Sequence, residues 1–261
     1  MPVTRDFFLE LAAAAAEQTL PRFRAGGGID DKGIKGGVAA FDPVTEADRA
    51  AEVAIRALIE KQFPHHGILG EEHGSVGLDR EHVWVIDPID GTRAFITGIP
   101  VWGTLVGLTQ NGKAIAGMMA QPYTNELFYA LGGKSHRRHG AIETANRVSG
   151  ITELAKATLF TTTPHLFKGD ARRRYDDIES KVKLFRYGCD CYAYCMLAAG
   201  FVDLVIETAL QPYDIVALVP IIEAAGGIVT DWDGSSPEKG GNIIAAATPE
   251  LHAAAMEIMH G

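Results

Sequence analysis

The acidic residues most suited to chemistry stand at the ends of apolar segments. Asp87 and Asp90 follow "WVI", Glu71 and Glu72 follow "GILG", and Asp214 lies within "QPYDIVALVPII". An unpaired carboxylate in such a position is costly to bury, and several of them together predict divalent cations as the compensating charge. Because these ligands all offer oxygen, with neither His nor Cys among them, the pattern favours Mg²⁺ over zinc.

The segment "DPIDGT" combines two of these acids with features of a phosphate site. Pro88 biases Asp87 towards an extended backbone, so the two acids are expected to turn towards one point while the Ile89 carbonyl is exposed. Gly91 permits a close approach of the backbone. A helix that begins at Gly91 or Thr92 would direct its free N–H groups at the same point. The alternative is an acidic turn that caps a helix, because Asp is a common N-cap residue.

The composition is that of a globular chain with a small ligand. Its 261 residues, 47% of them hydrophobic, can bury a substantial core as one large domain or as two closely packed halves. The net charge is -9, and the 24 Lys and Arg residues are scattered along the chain. That distribution argues against binding to nucleic acid or to an anionic membrane surface.

The N-terminal segment and the cysteines predict a location in the cytoplasm. "MPVTRDFFLELAAAAAEQTL" carries acids inside its apolar pattern and lacks a basic start, so it is predicted to be an amphipathic helix and not a signal peptide. No apolar run approaches the roughly 20 residues of a membrane span. Cys189, Cys191 and Cys195 have no fourth ligand at zinc-type spacing and are predicted to be reduced structural thiols.

The first half of the chain predicts two helices and an antiparallel sheet. One helix runs from Arg5 to about Arg24. A second begins where Thr45 and Asp48 are spaced as a capping box, and it ends before Pro64. Its predicted apolar stripe comprises Val53, Leu58 and Ile59. Strands are predicted at "GILGEE", "HVWVIDPID", "GTLVGLTQ", "KAIAGMMAQP" and "ELFYALG", with an Asn-Gly hairpin turn between the third and the fourth.

The second half alternates strands with helices. Strands are predicted at "ATLFTTT", "VKLFRYG", "VDLVIET" and "GGIVTDWDG", with helices near 168–180, 190–200 and 213–225 and a last helix from Thr248 to about Met259. That alternation predicts an α/β layer with helices on both faces. We therefore expect an N-terminal α+β subdomain over 1–145, which carries most of the metal ligands. A C-terminal α/β subdomain over 146–261 would complete one compact unit and carry the residues that select the substrate.

Four blocks, in order, resemble the inositol monophosphatase family of Mg²⁺-dependent, lithium-sensitive phosphatases. They are "DPVTEAD" at 42–48, "GEE" at 70–72, "DPIDGT" at 87–92, and "YDIVAL" followed by "EAAGG" between 213 and 227. The resemblance spans nearly the whole chain, and the ordered set is specific although each block alone is not. It implies the α/β fold of that family, a layered αβαβα sandwich, and a homodimer.

The resemblance also implies which residues hold metal ions. Glu71, Asp87 and the Ile89 carbonyl match the ligands of a first Mg²⁺. Asp87, Asp90 and Asp214 match those of a second, and Glu71 would hold a third, weaker ion together with water. Ions placed in this way activate water, cancel charge on the phosphoryl oxygens and stabilise the leaving alkoxide.

Phosphate binding and the attack of water are implied in the same way. Asp90, Gly91 and Thr92 match the phosphate-binding turn, with backbone donors at Gly91 and Thr92. Thr92 and Asp48 match the pair that orients the attacking water, and Glu71 joins them as a catalytic residue. In-line attack on phosphorus then depends on positioning more than on covalent help.

The sequence departs from the family pattern at a loop lysine. Relatives often place a Lys about eleven positions before the acid that corresponds to Asp48. Here that position is Gly37, with Lys32 and Lys35 earlier in a Gly-rich stretch. Either lysine is therefore a candidate to cover the site.

The choice of substrate is predicted from the second half of the chain. Aligned on Asp214 without gaps, the tripeptide that starts at Gly188 falls where the inositol enzymes have Gly-Thr-Ala beside the sugar hydroxyls, and Glu207 falls on their hydroxyl-binding Glu. The carboxylate of Asp190 favours a cationic or NH-rich group over a polyol. The alternative is that Asp190 only caps a helix that begins at Cys191. The predicted substrate-binding residues are Gly188, Asp190, Glu207 and Asp214.

Three longer strings most resemble the histidinol-phosphate phosphatases within the family: "TTTPHLF", "RYGCDCYAYCMLAAGFVDLVIE" and "QPYDIVALVPIIEAAGGIVTDW". The resemblance implies hydrolysis of L-histidinol phosphate in histidine biosynthesis, with Asp190 and Glu207 contacting the amino and imidazole groups. One alternative is a phosphatase of inositol or other polyol phosphates, which shares every metal ligand. Another is a regulatory relative without enzyme activity, against which the complete ligand set and the lack of a basic patch both argue.

A calcium-binding loop at "DWDG" is a further alternative. The string lacks a Glu at the position that an EF-hand loop requires. It is therefore predicted to be a turn.

Overall fold

The computed structural model describes residues 2–25, 29–31 and 43–261 of the chain. The helices are α1 (Arg5–Thr19), α2 (Glu46–Gln62), α3 (Thr92–Ile96), α4 (Gly169–Lys181), α5 (Asp190–Ala198), α6 (Pro212–Ile215), α7 (Leu218–Glu223) and α8 (Pro249–His260). The strands are β1 (Ile29–Asp31), β2 (Pro43–Thr45), β3 (Gly67–Gly70), β4 (Gly74–Val76), β5 (His82–Asp90), β6 (Gly103–Gln110), β7 (Lys113–Gln121), β8 (Glu126–Leu131), β9 (Lys134–His139), β10 (Ile142–Ala145), β11 (Thr158–Thr161), β12 (Leu184–Tyr187), β13 (Leu204–Leu210), β14 (Ile228–Asp231) and β15 (Gly241–Ala246).

Most of the strands form two large sheets. The first has the order β10-β9-β8-β7-β6-β5-β3-β4 and is antiparallel except between β3 and β5. The second has the order β12-β11-β13-β15-β14, parallel at its β12-β11-β13 side and antiparallel at the other. Asn111 and Gly112 join β6 to β7 with positive φ angles of 50° and 79°, which a two-residue hairpin turn of the primed kind requires. The predicted hairpin is confirmed.

The two sheets and their helices stack in five layers. Helices α1 and α2 cover one face of the first sheet, where Phe8, Ile55 and Trp84 are buried. Helices α5 and α7 fill the space between the sheets, and α4 and α8 cover the outer face of the second sheet. Because side chains alternate along a strand, β6 sends Leu105 into the middle layer and Val106 towards α1 and α2. The predicted αβαβα sandwich is confirmed.

Helix α2 begins as predicted, but its buried stripe differs from the expected one. Thr45 and Asp48 form the capping box, in which the Asp48 carboxylate accepts a hydrogen bond from the Thr45 backbone N–H at 2.8 Å. Val53 is 55% exposed, so its place in the apolar stripe was wrong. The buried stripe runs through residues spaced four apart, Ala51, Ile55 and Ile59, and a residue midway between two of these lies on the opposite side of the helix. Helix α1 also ends earlier than predicted, with a turn over 20–24.

Several strands have no clear signal in the sequence. Strand β15 lies between β13 and β14 in the second sheet, yet "GNIIAA" is rich in residues with little preference for strands. Its conformation follows from its two neighbours. Strands β4, β9 and β10 are short or polar and were also not predicted. The "DWDG" string forms the predicted turn after β14, where the Gly234 N–H donates to the Asp231 carbonyl at 3.1 Å.

Two glycines let the α6–α7 segment lie directly on the first sheet. A Cβ added to Gly107 in β6 would stand 2.8 Å from the Ala217 nitrogen, and one added to Gly117 in β7 would stand 2.1 Å from the Ala217 oxygen. No larger residue fits at either position. This close approach brings Asp214, at the start of the segment, against the end of β5. The helix predicted over 213–225 is therefore two short helices, α6 and α7.

The boundary between the expected subdomains coincides with a gap between strands. Strand β10 ends at Ala145, and β11 begins at Thr158; a division at residue 145 remains a prediction. Cys191 and Cys195 are free thiols buried in the middle layer. Across the described ranges, no helix is long and apolar enough to cross a membrane.

Candidate active site

A cavity of about 310 Å³ lies where the two halves of the chain meet. One side is formed by the junction of β5 with α3 and by Asp214 of α6. A second group of cavity-lining residues comes from the C-terminal half of the chain, and we call it the far wall: Thr162, Asp190, Tyr194 and Glu207. The cavity thus joins the "DPIDGT" segment to the region predicted to select the substrate.

Three carboxylates meet beside this cavity, and two of them, Asp90 and Asp214, line it. Asp87, Asp90 and Asp214, which we call the acidic cluster, each present an oxygen within 4.8 Å of the others. Burial raises the pKa of Asp87 well above its usual range, and the charges of neighbouring acids, Glu71 first, add to the effect. Burial and the charges of Asp190 and Asp214 do the same to the pKa of Asp90. Since buried like charges repel so strongly, this set of oxygen donors fits a divalent cation such as Mg²⁺.

A β-bulge turns Asp87 and Asp90 to the same side of the sheet. Residues three apart in a regular strand point to opposite faces. Here Asp87 pairs with Leu105 and Asp90 pairs with Gly103, so β5 has one residue more than β6 over this stretch. The extra residue restores a common direction for the two carboxylates. The bulge is also anchored locally, because the Asp87 carboxylate accepts the Ile89 N–H at 3.0 Å.

Glu71 reaches the acidic cluster from the neighbouring parallel strand. Strand β3 pairs in parallel with β5, with Gly70 opposite Ile86, and the Glu71 N–H donates to the Ile86 carbonyl at 3.2 Å. Parallel strands end at the same edge of a sheet, which places Glu71 beside Asp87. In the described part of the chain, Glu71 does not join the three carboxylates within 4.8 Å of one another, but its charge is the largest that acts on Asp87.

A buried ion pair that the sequence analysis missed holds the Glu71 loop. Glu52 of α2 is fully buried and accepts the N–H groups of Glu72 at 2.7 Å and His73 at 3.1 Å. Its carboxylate also accepts from the Arg56 guanidinium at 2.7 Å, and Arg56 donates in turn to the Gly74 carbonyl. The available signal was an acid on the apolar face of α2, four residues before an arginine.

Asp48 and Thr92, the pair predicted to orient water, have separate partners in this structure. The Asp48 carboxylate accepts the Thr45 hydroxyl at 2.5 Å, while the Thr92 hydroxyl donates to the Ile89 carbonyl at 3.1 Å. Burial raises the pKa of Asp48 to about 6, with a smaller contribution from the charge of Glu72. No described hydrogen bond joins Asp48 to Thr92, so their joint role stays a prediction. A carbonyl oxygen accepts twice, so Ile89 can still face a cation.

Gly91 brings the two sides of the cavity together. It caps α3 in the left-handed conformation, with φ 82°. A Cβ at this position would stand 3.0 Å from an Asp190 carboxylate oxygen and 3.3 Å from the Trp102 Cα. Only glycine satisfies both the backbone conformation and the space. The helix α3 begins at Thr92, as predicted.

One threonine organises the carboxylates of the far wall. Thr162 donates its backbone N–H to Glu207 at 2.5 Å and its hydroxyl to Asp190 at 3.2 Å. The Thr161 hydroxyl also donates to Glu207, at 3.2 Å. Burial raises the pKa of Glu207 to about 8, although the hydrogen bonds from Thr162 oppose this shift. These hydroxyls belong to the "TTT" that ends a predicted strand, and no role was predicted for them.

The capping alternative for Asp190 is wrong, because the first turn of α5 is held by the acidic cluster. The Cys191 N–H donates to the Asp90 carboxylate at 2.6 Å, and α5 begins at Asp190 itself, with Cys189 at the cap position and no side-chain cap in the described structure. Asp190 has a positive φ of 43°, and its carboxylate faces Thr162 and Gly91. Gly188 is exposed and lies outside the residues that line the cavity.

Asp214 and Arg93 complete the charges around the cavity. Asp214 accepts the Gln211 N–H at 2.7 Å in a second capping box, at the start of α6. Arg93, which the sequence analysis did not assign, lines the cavity, and its charge partly offsets the rise that burial causes in the pKa of Asp190. The clue to Arg93 in the sequence was a positively charged residue three positions after Asp90. The candidate loop lysines, Lys32 and Lys35, and the variant position Gly37 lie outside the described residues.

Comparisons with known proteins place this site in a family. The chain is 43% identical over 259 residues to the bifunctional phosphatase IMPL2, chloroplastic, of Arabidopsis thaliana, covering 95% of this chain and 72% of that protein. It is 32% identical over 246 residues to the histidinol-phosphatase of Mycobacterium tuberculosis, covering 92% of each. The structure of an inositol monophosphatase from Zymomonas mobilis matches with a TM-score of 0.84 and 37% identity over 98% of both chains. Other relatives are named inositol-1-monophosphatase or Nus factor SuhB.

The family itself is shown by a match along almost the entire chain. The model of the inositol monophosphatase family covers residues 3–260, which include every acid described above. Members of this family are generally Mg²⁺-dependent phosphatases, in agreement with an acidic cluster of oxygen donors. By sequence, by fold and by the chemistry of its buried carboxylates, the chain belongs to the inositol monophosphatase family.

Proposed function

We propose that the protein hydrolyses L-histidinol phosphate to L-histidinol and phosphate, as a Mg²⁺-dependent phosphomonoesterase of histidine biosynthesis. The observation that carries this proposal is the pair of carboxylates on the far wall. Asp190 and Glu207 line the same cavity as Asp90 and Asp214 of the acidic cluster. Acids beyond those that would hold metal suit a substrate that carries, besides its phosphate, a cationic amine and an imidazole ring.

The residues at the phosphate end would each have a separate task. Glu71, Asp87, Asp90, Asp214 and the Ile89 carbonyl would hold two to three Mg²⁺ ions. When bound, Mg²⁺ supplies charge neutralisation at the phosphoryl oxygens and activation of water. The N–H groups at Gly91 and Thr92 would hold the phosphate at the start of α3.

Asp48 would take part in the chemical step as a proton acceptor. Its pKa of about 6 keeps the carboxylate ionised at neutral pH yet basic for an Asp, which suits a group that orients water and removes its proton. Thr92 would orient the same water, and Glu71 would complete the catalytic set.

A panel of phosphate esters tests the choice of substrate. Phosphate release in the presence of Mg²⁺ is compared for L-histidinol phosphate, inositol 1-phosphate and an adenosine bisphosphate. We expect L-histidinol phosphate to have the highest kcat/KM. A higher value for either other ester would overturn the proposal, and a higher value for inositol 1-phosphate would support the alternative that the names of several relatives favour.

We also propose that two copies of the chain form a homodimer through strand β12. This strand is at the edge of the second sheet and exposes Leu184, Phe185 and Tyr187. An exposed apolar edge strand pairs readily with another chain. We expect light scattering to give the mass of a dimer for the wild type and of a monomer for Phe185→Glu; a monomeric wild type would contradict the proposal. The cytoplasmic location likewise remains a prediction, since one relative is named chloroplastic.

A further inference from the structure

Two tyrosines on α5 have hydroxyl groups in different settings. The Tyr192 hydroxyl donates to the Glu126 carboxylate at 2.7 Å. Tyr194 is only 3% exposed and lines the cavity, yet its buried hydroxyl has no hydrogen-bond partner within the described ranges. Burial raises the pKa of Tyr194, with added contributions from the charges of Glu207, Asp90 and Asp214. The hydroxyl therefore stays protonated, on a residue that lines the cavity.

The Tyr194 hydroxyl does not contribute to folding. An unpaired buried donor costs roughly 1–3 kcal/mol, and phenylalanine would fill the same space without that cost. Tyr175 has a buried hydroxyl that is likewise unpartnered among the described residues, but it packs between α4 and the second sheet and does not line the cavity. What distinguishes Tyr194 is that a molecule entering the cavity can supply the missing partner.

The position of Tyr194 determines what that partner would be. Residues four apart lie on one face of a helix, so Tyr194 stands one turn beyond Asp190 along α5. The Asp190 carboxylate accepts hydrogen bonds, whereas the protonated phenol of Tyr194 donates one. A ligand that satisfies both must offer an N–H donor together with one unprotonated acceptor, and a neutral imidazole ring has both an N–H and a nitrogen lone pair.

We propose that Tyr194 is a substrate-binding residue whose hydroxyl donates a hydrogen bond to an acceptor on the alcohol part of the phosphate ester. Resting on the proposed function, that acceptor is the unprotonated ring nitrogen of L-histidinol phosphate. The residue thereby selects the leaving group without touching the phosphate. Its contribution is specificity, which the acidic cluster cannot provide.

The test compares Tyr194→Phe with the wild type on two esters. L-Histidinol phosphate offers the acceptor, whereas phenyl phosphate has no acceptor beyond its ester group. We expect kcat/KM for L-histidinol phosphate to fall by roughly 3- to 10-fold, the worth of one hydrogen bond, mainly through KM. Activity on phenyl phosphate should not change, and the melting temperature should stay equal or rise. The inhibition constant of the product L-histidinol should rise by a similar factor.

Tyr175→Phe is the matched control, because it removes an unpartnered buried hydroxyl outside the cavity. We expect it to leave both activities and the inhibition constant unchanged. An equal loss on both esters in Tyr194→Phe would mean that the variant disturbs the phosphate end, and it would overturn the inference. An unchanged preference for L-histidinol phosphate would overturn it as well.

The same experiment separates this inference from the proposed function. If the wild type prefers inositol 1-phosphate, the proposed function fails, and Tyr194→Phe is then assayed with that ester and with inositol as the inhibitor. A selective loss on inositol 1-phosphate relative to phenyl phosphate would still support a substrate-binding hydroxyl. Wild-type behaviour of the variant on the preferred ester would reject the inference whichever ester that is.

Discussion

The acidic cluster and the far wall are held in place by different kinds of contact. In and around the acidic cluster, three carboxylates accept backbone N–H groups within three residues in sequence: Asp48 from Thr45, Asp87 from Ile89, and Asp214 from Gln211. Asp90 is the exception, since it accepts the Cys191 N–H from 101 residues away. On the far wall, Thr162 binds Asp190 and Glu207, which are 28 and 45 residues away. The metal end is therefore arranged mainly by local turns, and the substrate end by the packing of separate elements.

Because of this difference, the residues that would carry out catalysis are positioned independently of those that would select the substrate. A turn formed within a few residues places its carboxylate in the same way wherever that short sequence occurs. The far wall depends on how β11, β13 and α5 pack, so a single change in it can redirect the choice of substrate. Mutations in the two regions should accordingly affect different quantities, turnover in one and selectivity in the other.

The largest effect is expected from the acidic cluster itself. Asp90→Asn removes one of three converging charges but keeps an oxygen that can accept the Cys191 N–H. We expect kcat to fall by more than about 100-fold on every ester, since even a residue that only supports a metal ligand costs about 10- to 100-fold when changed. The metal-free variant should melt no lower than the wild type, because a buried like charge is gone. Retained phosphate release would remove Asp90 from the mechanism.

A smaller and selective effect is expected on the far wall. Asp190→Asn keeps a residue that tolerates the positive φ of this position and removes its charge. We expect kcat/KM for L-histidinol phosphate to fall by roughly 10-fold or more, the worth of a charged hydrogen bond, with activity on phenyl phosphate retained. Asp170→Asn, an exposed acid in the first turn of α4, is the matched control. Equal losses on both esters would show that the two regions are not separable.

Breaking the ion pair between Glu52 and Arg56, which holds the Glu71 loop, should change the Mg²⁺ concentration that activity requires. Glu52→Gln leaves the loop N–H groups an acceptor but removes the charge that pairs with Arg56. We expect the Mg²⁺ concentration needed for half-maximal activity to rise by roughly 10-fold, as for other groups that support metal ligands, with activity recovered at saturating Mg²⁺. Glu60→Gln on the exposed side of α2 should leave the titration unchanged. Identical titrations for both variants would limit Glu52 to folding.

The last effect concerns the stability of the metal-free protein and its dependence on pH, not turnover. The folded-state pKa of Glu207, about 8, lies above its ordinary value of 4.5, so ionisation of this group weakens the fold as pH rises from about 4.5 to 8. The loss is roughly 5 kcal/mol at most. In the metal-free protein, Glu207→Gln should therefore gain melting temperature over the wild type, by a margin that grows up to about pH 8 and then levels off. The exposed change Glu257→Gln is the control, and a margin independent of pH would contradict the assignment.

The parts of the site that lie within short segments were the parts that sequence could predict. The Thr45–Asp48 cap, the strand before Asp87 and the start of α3 at Thr92 all follow from neighbours in the chain and are confirmed. Asp87 and Asp90 converge as expected, but a β-bulge brings this about. Periodicity alone does not reveal a bulge, because the extra residue is defined by the partner strand.

The contacts that sequence could not predict are those between elements. Thr162, Arg93 and the buried pair of Glu52 with Arg56 act through residues far away in the chain. The sequence does show hydroxyl residues after a strand and charged residues on an apolar helix face. Such residues more often lie on a solvated surface, so their positions alone do not identify these contacts. Strand β15 was missed for the same reason, since its neighbours in the sheet decide its conformation.

The hydrogen bond from Cys191 to Asp90 spans 101 residues, and this distance has a consequence for folding. Contacts so far apart form only after a large loop of chain has closed, and topologies rich in such contacts fold slowly. Each half can form its own helices and strands before that closure. We therefore expect enzymatic activity, on refolding from denaturant, to return with the slowest phase, in which the two sheets dock around α5. Recovery of turnover would then mark the final step of the folding reaction.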